Sequence, residues 1–179
     1  MIGILALQGS FAEHSEILRS LGVEFVLVRE KETLKDITHL IIPGGESTTM
    51  MKLLRKFGMW DLLVQQITKK KIKILGTCAG TILISKLIPD CGFRVERNAY
   101  GGQQSSFIAE LDSKEFSNLQ GIFIRAPKIT LNKNFDQKNI LASHKDTPVL
   151  IEGDNFIAMS FHPELSEEVR IHEYFLSSS

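Results

Sequence analysis

The stretch Lys73–Ser85, KILGTCAGTILIS, constrains this chain more than any other. A short apolar run closes on Gly76, the small residues Thr77-Cys78-Ala79-Gly80 follow, and a second apolar run starts at Thr81. Apolar residues on both sides of a tight bend predict a buried strand, a sharp turn and a buried helix. The bend leaves Cys78 at the helix N-terminus, where the positive end of the helix dipole favours an anion. Small neighbours let the backbone turn sharply and let a carbonyl group approach closely. A comparable strand-to-helix elbow presents the nucleophilic serine of many hydrolases. Taken alone, the pattern also suits an inert core cysteine.

The rest of the chain repeats that alternation. Ile2–Leu7, Glu24–Val28 and Leu40–Ile42 read as strands. Ser10 and Glu13 have capping-box spacing, so a helix starts at Ser10, carries Phe11, His14, Leu18 and Leu21 on one face, and ends at Gly22. Ser47 or Thr48 caps a helix running to about Phe57, and Trp60–Lys70 is another, with Trp60, Leu63, Val64 and Ile67 inward. Strands alternating with helices indicate βαβ units and a parallel sheet. After Leu87 the texture becomes β-rich: Phe93–Glu96, Ser106–Leu111, Gly121–Arg125, Ile140–Ala142, Val149–Glu152 and Phe156–Ser160 are strand-like. Gly153-Asp154-Asn155 forms a hairpin loop, and Glu167–Phe175 is a closing helix with Ser166 as its cap. The expected architecture is therefore α/β, with a mostly parallel sheet, helices on both faces and a β-rich C-terminal half. A length of 179 residues suits a single domain, 1–179.

Two further stretches supply chemistry to match the cysteine. Phe161-His162-Pro163-Glu164 follows the last strand. Pro163 disfavours a helical backbone at His162, and an extended backbone puts His162 and Glu164 on one side. A carboxylate there fixes the imidazole tautomer, giving the base and orienter that a thiol nucleophile requires. Pro43-Gly44-Gly45-Glu46-Ser47-Thr48 lies between a strand and a helix, where glycines expose N–H groups to an anion or developing oxyanion. It lacks the Gly-Lys-Ser/Thr ending of a Walker loop. Arg97 and Arg125 end strand-like runs, as carboxylate-binding arginines often do. His14 reads as a packing histidine on an apolar helix face, and His39, His144 and His172 show no partner pattern. Cys91 sits in a Pro-Asp-Cys-Gly turn without a base nearby in sequence.

Charge argues against several function classes. The 21 basic and 21 acidic residues cancel, so no general electrostatic case exists for nucleic acid or membrane. The one basic cluster, Lys69-Lys70-Lys71 with Lys73, suits a helix C-terminus. Cys78 and Cys91 make neither a metal-ligand spacing nor a disulfide framework, which fits a reducing compartment. Met1–Leu7 lacks the basic start of a secretory leader, and no run approaches a membrane span, so the expected location is cytoplasmic.

Together, Gly76-Thr77-Cys78-Ala79-Gly80, His162-Pro163-Glu164 and Pro43-Gly44-Gly45-Glu46-Ser47 resemble the class I (triad) glutamine amidotransferases. With Leu7-Gln8-Gly9, Val95-Glu96-Arg97-Asn98 and Ile124-Arg125-Ala126-Pro127 added, the chain is most similar to the glutaminase subunits of pyridoxal phosphate synthase. The resemblance runs over nearly the whole chain, with the motifs in family order. It implies a three-layer, flavodoxin-like fold and a Cys78-His162-Glu164 triad that hydrolyses L-glutamine to glutamate and ammonia through a glutamyl thioester. It further implies N–H groups of Gly45 and Ala79 as the oxyanion hole. Gly45, Glu46, Ser47, Arg97, Ile124 and Arg125 would hold glutamine. The implied partner is a separate barrel-shaped synthase subunit, in a hetero-oligomer, that receives the ammonia. Pyridoxal phosphate is then the product of the complex, and neither cofactor nor metal is implied for this chain. The alternatives are a glutaminase serving another synthase, such as imidazole glycerol phosphate synthase, a cysteine peptidase or DJ-1-like hydrolase of similar fold, and a non-catalytic binding subunit of the same fold. Two departures stand out: Gly102 where many relatives carry a basic residue, and a short Ile88–Gly92 connection.

Overall fold

A computed structural model describes residues 1–97 and 106–177. Asn98, Tyr100, Gly101, Gly102 and the last two serines, Ser178 and Ser179, lie outside the described residues. In chain order the elements are β1 (Ile2–Leu5), α1 (Phe11–Ser20), β2 (Phe25–Val28), α2 (Lys31–Leu34), β3 (His39–Ile42), α3 (Ser47–Lys56), α4 (Trp60–Thr68), β4 (Lys73–Thr77) and α5 (Ala79–Leu87). Then come β5 (Phe93–Glu96), β6 (Ser106–Glu110), β7 (Asp112–Ser113), β8 (Gln120–Ile124), β9 (Lys128–Leu131), β10 (Ile140–His144), β11 (Thr147–Gly153), β12 (Phe156–Met159) and α6 (Arg170–Ser177).

An eight-stranded sheet in the order β2-β1-β3-β4-β12-β11-β10-β7 forms the centre. Its first five strands run parallel, and β11, β10 and β7 extend it antiparallel. The order β2-β1-β3-β4-β12 is the flavodoxin-like arrangement, so the expected α/β fold with a β-rich second half is observed. Alternation along the strands divides the core in two. Leu5, Leu40, Ile42, Ile74 and Ala158 face the helices α2 to α5, whereas Ile4, Ile41, Leu75, Ile157 and Met159 face α1, α6 and the β6–β8 ribbon. That two-sided burial is why the central strands read as unbroken apolar runs.

Several expected boundaries shift. The first strand ends at Leu5, leaving Ala6 and Leu7 to the connection, and β4 continues to Thr77. Short elements with no periodic pattern, α2, β7 and β9, were not expected from the sequence. The two-residue hairpin between β11 and β12 is Asp154-Asn155, because Gly153 already pairs with Phe156. Capping differs in all three places where it was expected. Ser10 makes no cap bond to α1. The first turn of α3 is capped by the Glu46 carboxylate, not by Ser47 or Thr48. The closing helix starts three residues late, at Arg170, whose N–H donates to Glu168, while Ser166 serves the preceding turn.

Candidate active site

Four strand ends meet at one edge of the sheet. The loops after β1 and β3 lie side by side, joined by a 3.0 Å bond from the Ser10 N–H to the Gly44 carbonyl. This is the switch point of a doubly wound sheet, where β1 and β3 diverge and ligands bind. Next to it stand the β4–α5 elbow and the segment after β12.

Cys78 occupies the elbow with φ 48 and ψ −101, a left-handed conformation that costs about 1–3 kcal/mol in a non-glycine residue. The surroundings over-determine it. The Cys78 N–H donates to the Met159 carbonyl at 2.9 Å. The Thr81 hydroxyl donates to the same carbonyl at 2.6 Å and accepts the Met159 N–H at 2.9 Å, so α5 is stitched to β12 at its first turn. Gly80 is required by contact: a Cβ there would lie 2.1 Å from the Ile42 carbonyl oxygen. The α5 N-terminus can therefore sit directly on the end of β3.

His162 and Glu164 close the group. The His162 N–H donates to the Ile122 carbonyl at 2.9 Å, which fixes the segment against β8. His162 is non-helical, with φ −115 and ψ 88, and Glu164 lies in a single 3-10 turn over Pro163–Leu165. The two side chains meet through that turn, not along a continued strand, and His162 Nδ1 lies 2.8 Å from Glu164 Oε1. Cys78 and His162 stand on the wall of one cleft, and the thiol is near enough to raise the imidazole. The Cys78 Sγ also lies 3.8 Å from the Ile124 carbonyl oxygen.

Electrostatics polarise the three residues. Burial opposes a charged His162, yet the Cys78 thiol and the Glu164 carboxylate outweigh it and raise the imidazole to about 10. Burial likewise opposes a charged Glu164, and the His14 and His162 rings with the Ser10 hydroxyl overcome it, holding the carboxyl at about 2. A base that holds a proton readily, backed by a permanent carboxylate, is equipped to take a thiol proton.

The group opens on a cleft of about 280 Å³ lined by Gly45, Glu46, Ser47, Cys78, Ala79, Ile82, Arg97, Ile124, Arg125, Pro127 and His162. Every substrate-holding position expected from the sequence lies on that wall. Ala79 and Ser47 are the first residues of α5 and α3, so two helix N-termini converge on the cleft. Glu46 contributes its backbone there, because Oε1 accepts the Thr48 N–H at 3.2 Å and Oε2 accepts the Thr49 N–H at 2.8 Å. Arg97 donates to the Thr48 hydroxyl at 3.2 Å across the rim. Arg125 is exposed with φ 45, a second strained non-glycine residue on the cleft. Cys91 lies beyond the far end of α5, its thiol donating to the Phe93 carbonyl at 3.3 Å and pushed up by burial.

Sequence reasoning missed the residues behind Glu164. Ser10 donates to Glu164 Oε1 at 2.6 Å and Thr77 donates to it at 3.2 Å. His14, read as a packing residue, is fully buried with Nε2 at 3.6 Å from the same oxygen. His172 bonds to His14 at 2.9 Å. Ser10 and His14 stand one helical turn apart, a signal that was readable; nothing in sequence tied them to residues more than 150 positions away.

Comparison with known proteins fits this geometry. A profile of the SNO glutamine amidotransferase family matches residues 4–179. The pyridoxal 5'-phosphate synthase subunit PdxT of Thermosipho africanus is 42% identical over 186 residues, covering 98% of this chain and 97% of the relative. The subunit of the same name from Francisella tularensis subsp. novicida is 42% identical over 179 residues with the same coverage. A crystal structure described as a glutamine amidotransferase superimposes with a TM-score of 0.87 at 40% identity, covering 98% of this chain and 96% of the other. A glutamine amidotransferase from Thermotoga maritima, at 17% identity and a TM-score of 0.64 over 97% of this chain and 82% of its own, shares the fold.

Proposed function

This chain belongs to the SNO glutamine amidotransferase family, and from that premise we propose that it acts as the glutaminase subunit of pyridoxal 5'-phosphate synthase. The observation that carries the proposal is the grouping of Cys78 with the hydrogen-bonded pair His162 and Glu164 at a cleft sized for one amino acid. His162 takes the thiol proton ahead of the attack and holds it as an imidazolium paired with Glu164 while Cys78 Sγ attacks the side-chain amide carbon of L-glutamine. Oxyanion charge meets the N–H groups of Gly45 and Ala79. His162 returns the proton to the leaving ammonia, then activates the water that hydrolyses the γ-glutamyl thioester to glutamate. Glu164 orients His162 through both steps. Arg97, Arg125, Ile124 and the backbone of Gly45-Glu46-Ser47 hold the amino-acid end of the substrate. The ammonia passes to a barrel-shaped synthase subunit, and pyridoxal phosphate is the product of the assembly. Work in the cytoplasm suits this role, and among the described residues no helix is long and apolar enough to cross a membrane.

Ammonia release from glutamine, measured with the synthase subunit present, tests the assignment. Cys78→Ala abolishes release, and Cys91→Ala leaves it nearly intact. Loss of activity in Cys91→Ala with the fold preserved, or retention in Cys78→Ala, contradicts the proposal.

A further inference from the structure

Two histidines that the proposed chemistry does not use form a buried file behind Glu164. His14 on α1 and His172 on α6 are both fully buried. His14 Nδ1 lies 2.9 Å from His172 Nε2, and His14 Nε2 lies 3.4 Å from the Thr77 hydroxyl and 3.6 Å from Glu164 Oε1. Their polarity follows from counting hydrogens. The Thr77 oxygen accepts the Gly44 N–H at 2.9 Å and spends its own hydrogen on Glu164. It offers His14 only a lone pair, so His14 carries its proton on Nε2. Nδ1 is then bare and accepts from His172 Nε2–H. That leaves His172 Nδ1 as a bare nitrogen, and it is indeed buried without a partner. The opposite polarity would bury an N–H on His172 Nδ1 without an acceptor and turn a lone pair toward a carboxylate, which costs more.

We propose that His14 and His172 are positioning residues: a neutral pair of imidazoles, both in the Nε2–H tautomer, that aims two N–H dipoles at Glu164 and so holds it as the acceptor for His162. The proposal rests on the glutaminase reading insofar as Glu164 serves His162. Neutrality matters, because an imidazolium at His14 would compete with His162 for the same oxygen. Burial lowers both rings, His172 to about 3, although Glu164 and the α1 neighbour Glu13 pull His14 upward.

The test has a spectroscopic arm and a kinetic arm. Nitrogen-15 NMR of the full chain reads the tautomers directly. Nε2–H on both rings, with no titration between about pH 6 and 8, is the expected result. An imidazolium or an Nδ1–H ring at either position overturns the proposal, whatever the substrate proves to be. In the complex with the synthase subunit, His172→Leu removes the donor while keeping an apolar side chain of similar bulk. It lowers kcat about ten- to a hundredfold with KM little changed, and moves the alkaline limb of the kcat profile to lower pH. His172→Gln, whose amide can donate where Nε2 did, restores most of the loss. Wild-type kcat and pH profile in a folded His172→Leu protein overturn the positioning role. Absence of glutaminase activity in the wild-type complex would instead count against the proposed function and leave the NMR outcome standing.

Discussion

Glu164 gathers an unusual share of this protein's polar interactions. Its Oε1 receives His162, Ser10 and Thr77, with His14 close behind. Such a cluster makes stability depend on pH in a calculable way. A buried histidine with a lowered value is neutral in the native state, so its contribution is complete above the unfolded value of 6.5 and is lost as pH falls below it. Glu164, lowered from 4.5 to about 2, adds a further loss below 4.5. His162 has the opposite sign. Raised from 6.5 to about 10, it stabilises fully below 6.5 and loses its contribution as pH climbs through that interval. Stability in urea is therefore expected to peak close to neutrality and to decline on both sides, by up to about 1.4 kcal/mol per pH unit for each proton linked. His162→Gln should abolish the decline between about pH 7 and 9 and leave the acid side in place. A wild-type protein equally stable across that alkaline range contradicts the ion pair.

At the scale of elements, the β4–α5 elbow decides where Cys78 stands. Gly80 lets α5 rest on the end of β3, and a methyl group there meets a main-chain oxygen that has no rotamer to change. Gly80→Ala should destabilise the protein by about 1–3 kcal/mol and move the α5 N-terminus outward, carrying Cys78 and Ala79 with it. Calorimetry and turnover measured together check this: activity should fall even in the protein that remains folded. Unchanged melting would mean that the elbow has slack. This element was legible in sequence because one contiguous stretch encodes it, small residues between two apolar runs. His162-Pro163-Glu164 was legible for the same reason, although the proline sets up a 3-10 turn that an extended reading did not foresee. Ser10 was misread for an instructive reason. Its hydroxyl can serve its own helix or a distant acceptor, and a buried carboxylate is the stronger acceptor. Helix caps at Ser47 and Ser166 failed similarly, each displaced by a neighbouring glutamate that reaches the first-turn N–H groups. Pairs such as His14 and His172 have no local signature, because only the packing of α1 beside α6 brings them together.

On the scale of the whole molecule, the site is assembled from loops at one sheet edge, and two of those loops hold each other. Placing the Gly45 N–H in an oxyanion hole depends on the peptide between Gly44 and Gly45. The carbonyl of that peptide accepts the Ser10 N–H at 3.0 Å, and the next N–H, that of Glu46, donates to Gln8 Oε1 at 2.8 Å. These bonds latch the loop after β3 to the loop after β1. Turning the Gly45 N–H to a new direction breaks the Ser10 bond, at about 0.5–1.5 kcal/mol, while Gly45, with φ 151, tolerates the rotation sterically. A partner docked over the two loops can supply that energy. One oxyanion donor contributes about 2.7–4 kcal/mol to the transition state, or roughly a hundred- to a thousandfold in rate. It acts on the tetrahedral oxygen and barely on the ground-state amide. The synthase subunit is therefore expected to raise kcat for glutamine much more than it lowers KM. Steady-state kinetics of the purified chain, with and without that subunit, decide the matter. Full turnover by the chain alone would show that the latched loop already presents the donor, and activation confined to KM would place the partner's effect on binding instead of on the oxyanion.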